Sequence, residues 1–595
     1  MHPSPMPPLL ESLEPRQLLS ADPPLLAVGP VIADISAPVN ISRMAGNQSE
    51  GAVAIDPTNP RHLVAVSNLD RGTGLLAADS SDGGATWSTK VIADGNDELP
   101  DACCDPSVGI DSFGNVFLSY INAAGDKVVV ARGTGQANSF TVLTTFSGDV
   151  DQPTLTVPPG GEGTVWITFQ KGSQIIAASA TVSGLGEVGI FSALKVAPGS
   201  GNGNFGDIAV GPAGQVAVAY QNTLSDQGNQ KIFVNVDADG AGPRSFGGQT
   251  VITSSNVGAL DQIPAQLPNS IDAEVGLAFD NSGGPFRGRL YAVYTDETPD
   301  ESDNTDILLR FSDNQGATWS APQRVNDDLG LNSQFLPRLA VDPTSGLVGI
   351  TWYDARGDTG VVGPESTDDA ANDDVQMFGA VGTPTASGVD FSANVKISRG
   401  PTNSSASNND IGLGDYTANA FDGGVLHVVW ADNSNSTADN PNGRSAGLNL
   451  YTAAITPEST PIPPPPPAAG GPAAVFVGKA AVRKGTGYSF KVVYTSASAS
   501  ASAAGVDLNS LDSSDIVATG PNGFSQAATV GKIKKNRRGT RVTARYSITA
   551  PSGRWTAADN GTYTLALQGG QVFDTAAIPA AAAAATLGTF IVRAR

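Results

Sequence analysis

Six carboxylates of this chain recur at one place, about six residues ahead of a turn made with Asp, Gly or Pro. Glu50, Asp105 and Glu274 stand in register, and Asp151, Asp207 and Asp415 are displaced by one or two positions. Carboxyl groups gathered from such repeats can work in pairs, one giving and one taking a proton across a glycosidic bond when they stand about 5–10 Å apart. The same oxygens can instead hold a cation, or simply keep loop ends in water. A second polar set, Asn68, Asp70, Asn122, Gln170, Asp296, Asp354 and Asp432, closes the segment after each turn and is expected to face the same opening. An opening of this composition repels anionic ligands and admits a cation, a neutral glycan or a basic peptide.

Two further groups could do chemistry. Asn235, Asp237 and Asp239, followed by Gly240 in NVDADG, alternate oxygen side chains ahead of a glycine, as a tight calcium-binding turn requires. Phe246 stands where the closing bidentate glutamate of such a loop belongs, so an ordinary Asp/Gly hairpin turn competes with calcium here, and the Asp-rich stretches 296–306 and 368–374 extend the same expectation. Calcium is the only cofactor the sequence suggests. Cys103 and Cys104 are the only cysteines and are adjacent, which leaves a vicinal disulfide ring or two thiols. With only His2, His62 and His427 in the chain, neither a Cys/His nor a Ser/His/Asp hydrolase is assembled easily.

The elements that must carry these residues are short strands. Gly and Pro number 69 and 41 of 595 residues, which argues against long helices. Seven stretches repeat a pattern of alternating apolar run, turn and second alternating run, among them EGAVAIDPTNPRHLVAVS, DPSVGIDSFGNVFLSY and LPRLAVDPTSGLVGITWY, with turn residues Asp56, Asp111, Pro158, Gly211, Asp280, Asp342 and Asp422. Asp beside Gly or Pro accepts bonds from nearby amides and starts a tight turn, so these aspartates read as structural. The spacing leaves room for two more strands after each hairpin, which predicts an all-β propeller over 27–455, seven blades favoured with six as the alternative. The last hairpin is followed by one good strand, Leu448 to Ile455, so the segment near Leu26 to Ile35 is expected to complete that blade.

Beyond it, 456–472 contain five consecutive prolines and predict an extended linker. Residues 473–595 alternate strictly in segments such as YSFKVVY and TRVTARYSITA, which predicts an immunoglobulin-like β-sandwich. The whole chain carries 34 basic and 57 acidic residues, a net charge of −23. The sign is divided: the sandwich region is basic and the propeller strongly acidic, which argues against nucleic acid as a partner. The basic cluster KIKKNRRGTR, Lys532 to Arg541, either discourages edge pairing or meets a surface polymer or glycan. No apolar run is long enough to span a membrane.

Two segments carry a resemblance. Ser80, Asp82, Gly84 and Trp87 in SSDGGATW, and Ser312, Asn314, Gly316 and Trp319 in SDNQGATW, resemble the Asp-box or BNR repeat, S-x-D-x-G-x-T-W, of sialidase-like propellers. The resemblance covers roughly residues 30–455. It implies a box on the turn joining outer strands, away from the central site. For a true sialidase it also implies six blades, an arginine triad, a Tyr/Glu nucleophile pair and an Asp acid/base. This chain departs from that set: residues 41–54 read ISRMAGNQSEGAVA, without the Arg-Ile-Pro motif, and only Arg338 and Arg356, with Arg71 third, fall near the opening. Asp105, Glu274, Arg338, Tyr353, Arg356 and Tyr416 are therefore the catalytic candidates, and convergence of the arginines with a tyrosine and a carboxylate would favour an enzyme. Leu13, Glu14, Pro15, Arg16, Leu18 and Leu19 in the leader, 1–26, resemble the LEPR-x-LL signature of exported bacterial proteins, which implies a secreted or cell-surface location. The reading that results is a carbohydrate-recognising propeller, with an exo-sialidase-type glycoside hydrolase and a protein-binding surface propeller as alternatives.

Overall fold

The computed structural model describes residues 29–70, 74–135, 139–158, 163–299, 303–407, 411–444, 447–458, 472–479, 481–495, 505–537, 539–568, 571–575, 582 and 585–594. The LEPR-x-LL segment, Arg71 and the five-proline run lie outside them. Among the described residues helical turns are confined to four three-residue segments, and everything else of length is strand.

Seven sheets are built from consecutive strands. Their first strands are Ala52–Asp56, Ala102–Ile110, Val150–Thr156, Gly203–Val210, Gly276–Phe279, Gln334–Val341 and Ala418–Asp422. Each pairs antiparallel with the strand that follows it. Each also packs beside the first strands of the sheets before and after it, and the seventh meets the first, so the sheets form a closed, propeller-like cycle around one channel. Second strands such as Val216–Asn222 touch neighbours on both faces and are buried throughout, which explains continuous apolar runs like VAVAY. The turn aspartates behave as local staples. Asp56 accepts the Thr58 N–H at 2.8 Å, Asp111 the Phe113 and Asn115 N–H groups at 2.9 Å, and Asp342 the Thr344 N–H at 2.9 Å. Ile32–Ile35 pairs with Asn449–Pro457, so the seventh sheet is made from segments at both ends of the cycle.

Both S-x-[D/N]-x-G-x-T-W segments form the same turn between third and fourth strands. Ser80 Oγ accepts the Gly84 N–H at 2.9 Å, and Asp82 accepts the Thr86 N–H at 2.9 Å. In the second copy Ser312 Oγ accepts the Gly316 N–H at 2.8 Å and Asn314 accepts the Thr318 N–H at 2.9 Å. Ser312 is buried, so Ser312→Ala strands a buried amide. The expected cost is about 1–3 kcal/mol, read as a lower urea midpoint with an unchanged slope.

Residues 473–592 form two more sheets, one with four strands and one with five, enclosing a separate aromatic core of Tyr488, Phe490, Tyr546, Trp555, Tyr563 and Phe590. Lys532, Lys534 and Lys535 lie on the edge strand Thr529–Lys535, where exposed ammonium groups hinder pairing with another chain.

Candidate functional site at the channel mouth

The first strands reach the mouth through a repeated irregularity. Between Cys104 and Ser107, Asp151 and Thr154, Asn204 and Asp207, and Phe335 and Arg338, three steps along the first strand oppose two on its partner. Backbone bonds from Asn68 N–H to Ser49 O and from Thr295 N–H to Ala273 O mark the same extra residue in the first and fifth sheets. In five of these six bulges the residue after the start takes a left-handed backbone: Glu50 at φ 51°, Asp105 at 55°, Gln152 at 41°, Glu274 at 41° and Leu336 at 51°. A bulge of this kind re-aims one side chain, and non-glycine residues held there are found where a site requires them.

The result is a cluster of carboxyl groups over a cavity of about 210 Å³ lined by all seven first strands. Glu50, Asp105, Asp272 and Glu274 are buried, Asp207 and Asp415 half-buried, and Asp151 exposed. The Asp415 N–H bonds Glu50 Oε1 at 3.2 Å, and the Gln152 N–H bonds Asp105 Oδ2 at 3.2 Å. Asn68 donates to Glu50, and Asn269 donates to Asp415 at 2.9 Å. Arg338 lies across the cavity wall, donating to Glu274 at 2.5 Å and to the Thr417 carbonyl at 2.8 Å, with its guanidinium 5.4 Å from the Tyr416 ring centre.

Burial dominates the electrostatics. It raises Glu50 and Asp105 well above the ordinary carboxylate range, and their mutual repulsion and that of Asp415 and Asp151 add to it. Asp272 is raised by burial and then by Glu274, and Glu274 is pushed up to about 7 against the pull of Arg338. Burial, then Glu50 and Asp105, lift the Tyr416 phenol well above its usual range. An acid whose folded pKa is raised binds more protons folded than unfolded, so it subtracts stability as pH rises from about 4.5 toward its folded value. The melting temperature of the chain is therefore expected to fall between pH 5 and pH 8, and Glu274→Gln to flatten that fall. A melting temperature that rises over this interval contradicts the assignment.

The other sequence candidates separate from this site. Arg356 is held by Asp354 at 2.9 Å, Asp327 at 2.7 Å and Asn394 at 2.9 Å and lies over the Phe378 ring, so it does not converge with Arg338. Tyr353 is buried, stacked on Phe335 and bonded to the Ala431 carbonyl at 2.9 Å. Of the polar residues closing the second strands, Asn68 reaches the mouth through its bond to Glu50, whereas Asp296, Asp354 and Asp432 serve structure. Asp354 and Asp432 accept the Trp352 and Trp430 indole N–H groups, and Asp296 accepts the Asn256 N–H. The expectation that the exits of the second strands face the opening beside the entries of the first strands is corrected for these three aspartates, whose carboxylates are turned to indole and backbone N–H groups.

The NVDADG turn holds a cation of the protein's own. Lys195 Nζ lies 2.7 Å from Asp237 Oδ2, 2.6 Å from the Gly240 carbonyl and 2.9 Å from that of Arg244. Asn235 donates instead to the Pro198 and Gly247 carbonyls, and Asp239 faces Arg244 at 3.8 Å. Of the side-chain oxygens expected to receive calcium, Asp237 Oδ2 thus holds an ammonium, together with two backbone carbonyls. In the Asp-rich stretch ahead of the sixth sheet's third strand, Asp358, Asp373 and Asp374 bring three carboxylate oxygens within 4.8 Å. Cys103 and Cys104 are joined by a disulfide immediately before Asp105. His62 contacts Asp56 at 3.2 Å, and His427 is buried with its pKa lowered to about 4.

Sequence reasoning passed over Gln152, Asp272, Asn269 and Lys195. Gln152 occupies the register position of the third hairpin and was legible there, while Asp272 and Asn269 belong to a loop outside the repeat, and Lys195 meets Asp237 only through the fold.

No family model matches the chain, and no curated protein matches it. Among solved structures, the GH93 α-L-arabinofuranosidase of Fusarium graminearum with arabinobiose aligns over 53% of this chain and 92% of its own at 12% identity and a TM-score of 0.36. A protein of unknown function from Dyadobacter fermentans aligns over 71% and 99% at 10% identity and a TM-score of 0.40. The Penicillium chrysogenum α-L-arabinanase complexed with arabinobiose aligns over 59% and 92% at 10% identity and a TM-score of 0.32. Likenesses this slight assign no activity to the chain.

Proposed function

We propose that the chain is an exported, surface-located or secreted glycan-recognising protein, a seven-bladed sialidase-like propeller joined by a proline-rich linker to an immunoglobulin-like sandwich, with the channel mouth as its ligand site. The observation that carries this reading is the convergence of side chains from separate sheets, Gln152, Glu274, Arg338 and Tyr416, on one concave polar opening with Glu50 and Asp105 beside Tyr416, and Glu50, Asp105, Gln152 and Glu274 each stand at a left-handed bulge position. Sugars offer many hydroxyls, and carboxyl, amide and guanidinium groups at fixed positions can both give and accept their hydrogen bonds. An anionic sugar is disfavoured: Arg338 is already paired with Glu274, and Arg356 is committed elsewhere.

A glycoside hydrolase is the second reading, favoured by one observation. Glu274, raised to about 7, could stay protonated as an acid near neutral pH while a more exposed partner such as Asp151 or Asp415 faces the same opening. Release of 4-methylumbelliferone from a panel of neutral, amino and sialic acid glycosides separates the two. Binding of a glycan without turnover supports recognition; turnover abolished by Glu274→Gln supports the hydrolase; turnover of the sialoside alone overturns the charge argument. The basic edge at Lys532–Lys535 is read as the contact with a surface polymer.

A further inference from the structure

Resting on the glycan reading, we infer that the mouth is shaped for a protonated amine on the sugar, so that the ligand class is a glycan with free amino groups, such as a glucosamine oligomer. Two buried carboxylates elsewhere in the seven-sheet unit come with their own cation, Asp237 with Lys195 and Asp354 with Arg356, whereas others, such as Asp342 and Asp432, are satisfied by nearby N–H and O–H donors. At the mouth Asp207 and Glu274 line the cavity, and Glu50, Asp105, Asp151, Asp272 and Asp415 lie close enough to them or to one another to repel, with Arg338 as the only basic residue lining the cavity among the described residues. The site is also incomplete in hydrogen bonds. Glu274, 5% exposed and lining the cavity, has Oε2 without a partner, and Asn68, 3% exposed and bonded to Glu50, has Oδ1 without one. Buried oxygens of this kind are ordinarily satisfied, so donors are missing from this place.

An ammonium supplies three donors and one positive charge on a compact head. The Lys195 ammonium, gripped by one carboxylate and two carbonyls, shows how this chain holds one. A directly bound metal fits less well. Among the described residues the only three acidic side chains whose oxygens come within 4.8 Å of one another are Asp358, Asp373 and Asp374, so the mouth carboxylates are spread more widely than one small ion's oxygen shell. That spread suits an organic cation whose carbon frame fills the space between the groups.

Calorimetric titration of the full chain with a glucosamine tetramer, its N-acetylated counterpart, cellotetraose, sialyllactose and trilysine tests this. The free-amine tetramer is expected to bind at least about tenfold more tightly than the acetylated and neutral ones, and Asp105→Asn, checked for native melting, to remove that preference. Equal or tighter binding of the acetylated or neutral sugars overturns the amine and leaves the glycan reading standing. Binding of no sugar overturns both, as does tight binding confined to trilysine, which makes the partner a basic peptide. Because the comparison among sugars uses the unaltered chain, the inference stays testable if a variant fails to fold.

Discussion

Lys195→Met is expected to lower the stability of the seven-sheet unit by about 3–5 kcal/mol, the cost of leaving a buried carboxylate without its partner. Asp237 is 0% exposed, and the Lys195 ammonium is its only ion-pair partner among the described residues. Methionine keeps most of the apolar stem while removing the charge, which lies 5.7 Å from the Trp166 ring centre, and its donors to Asp237, Gly240 and Arg244. Urea unfolding of the variant should show the loss, and adding Asp237→Asn should recover most of it, because the second change removes the stranded charge. A single variant within about 0.5 kcal/mol of the parent contradicts an ammonium-centred turn. Calcium should move the parent's midpoint little, since the Lys195 ammonium already pairs with Asp237, the middle of the three expected ligands.

The second large effect has opposite signs for stability and binding. Asp105→Asn keeps the size of the side chain and an oxygen to accept the Gln152 N–H, but removes a charge that burial, Asp151 and Asp415 all disfavour. Because the raised pKa of Asp105 subtracts stability above the unfolded carboxylate value, the variant is expected to be more stable than the parent at pH 8 by about 1–2 kcal/mol, and nearly equal to it at pH 4. Glycan affinity should fall at least about tenfold in the same protein. Stabilisation with undiminished binding removes Asp105 from the site. Destabilisation at pH 8 contradicts the electrostatic description of the mouth. Gains in stability on removing functional groups are the usual signature of a site assembled against local preference.

The repeat made much of this legible. Turn aspartates such as Asp111 and Asp342 announce themselves through local amide bonds, and the alternating runs beside them mark the strands. The six-residue register located Glu50, Asp105 and Glu274 because the bulge recurs at the same distance from each turn. What the register could not reveal was which neighbour each side chain would meet. Lys195 lies 42 residues from Asp237, and Arg356 finds Asp327 across a loop, so an arginine near the opening in sequence is not thereby in it. Asp354 and Asp432 misled for a related reason: a carboxylate two residues after a tryptophan can turn back to the indole N–H, a choice that depends on the packing of the indole.

Carboxyl footprinting places the ligand directly. The full chain is treated with a water-soluble carbodiimide and an amine, with and without whichever sugar of the titration panel binds, and labelled peptides are mapped by mass spectrometry. Selective protection of the peptides carrying Asp105, Asp151, Glu274 and Asp415 is the expected result. Protection confined to the 358–374 stretch or to residues 473–595, with the mouth peptides labelled as before, would show that the convergent carboxyl groups are not where the ligand sits.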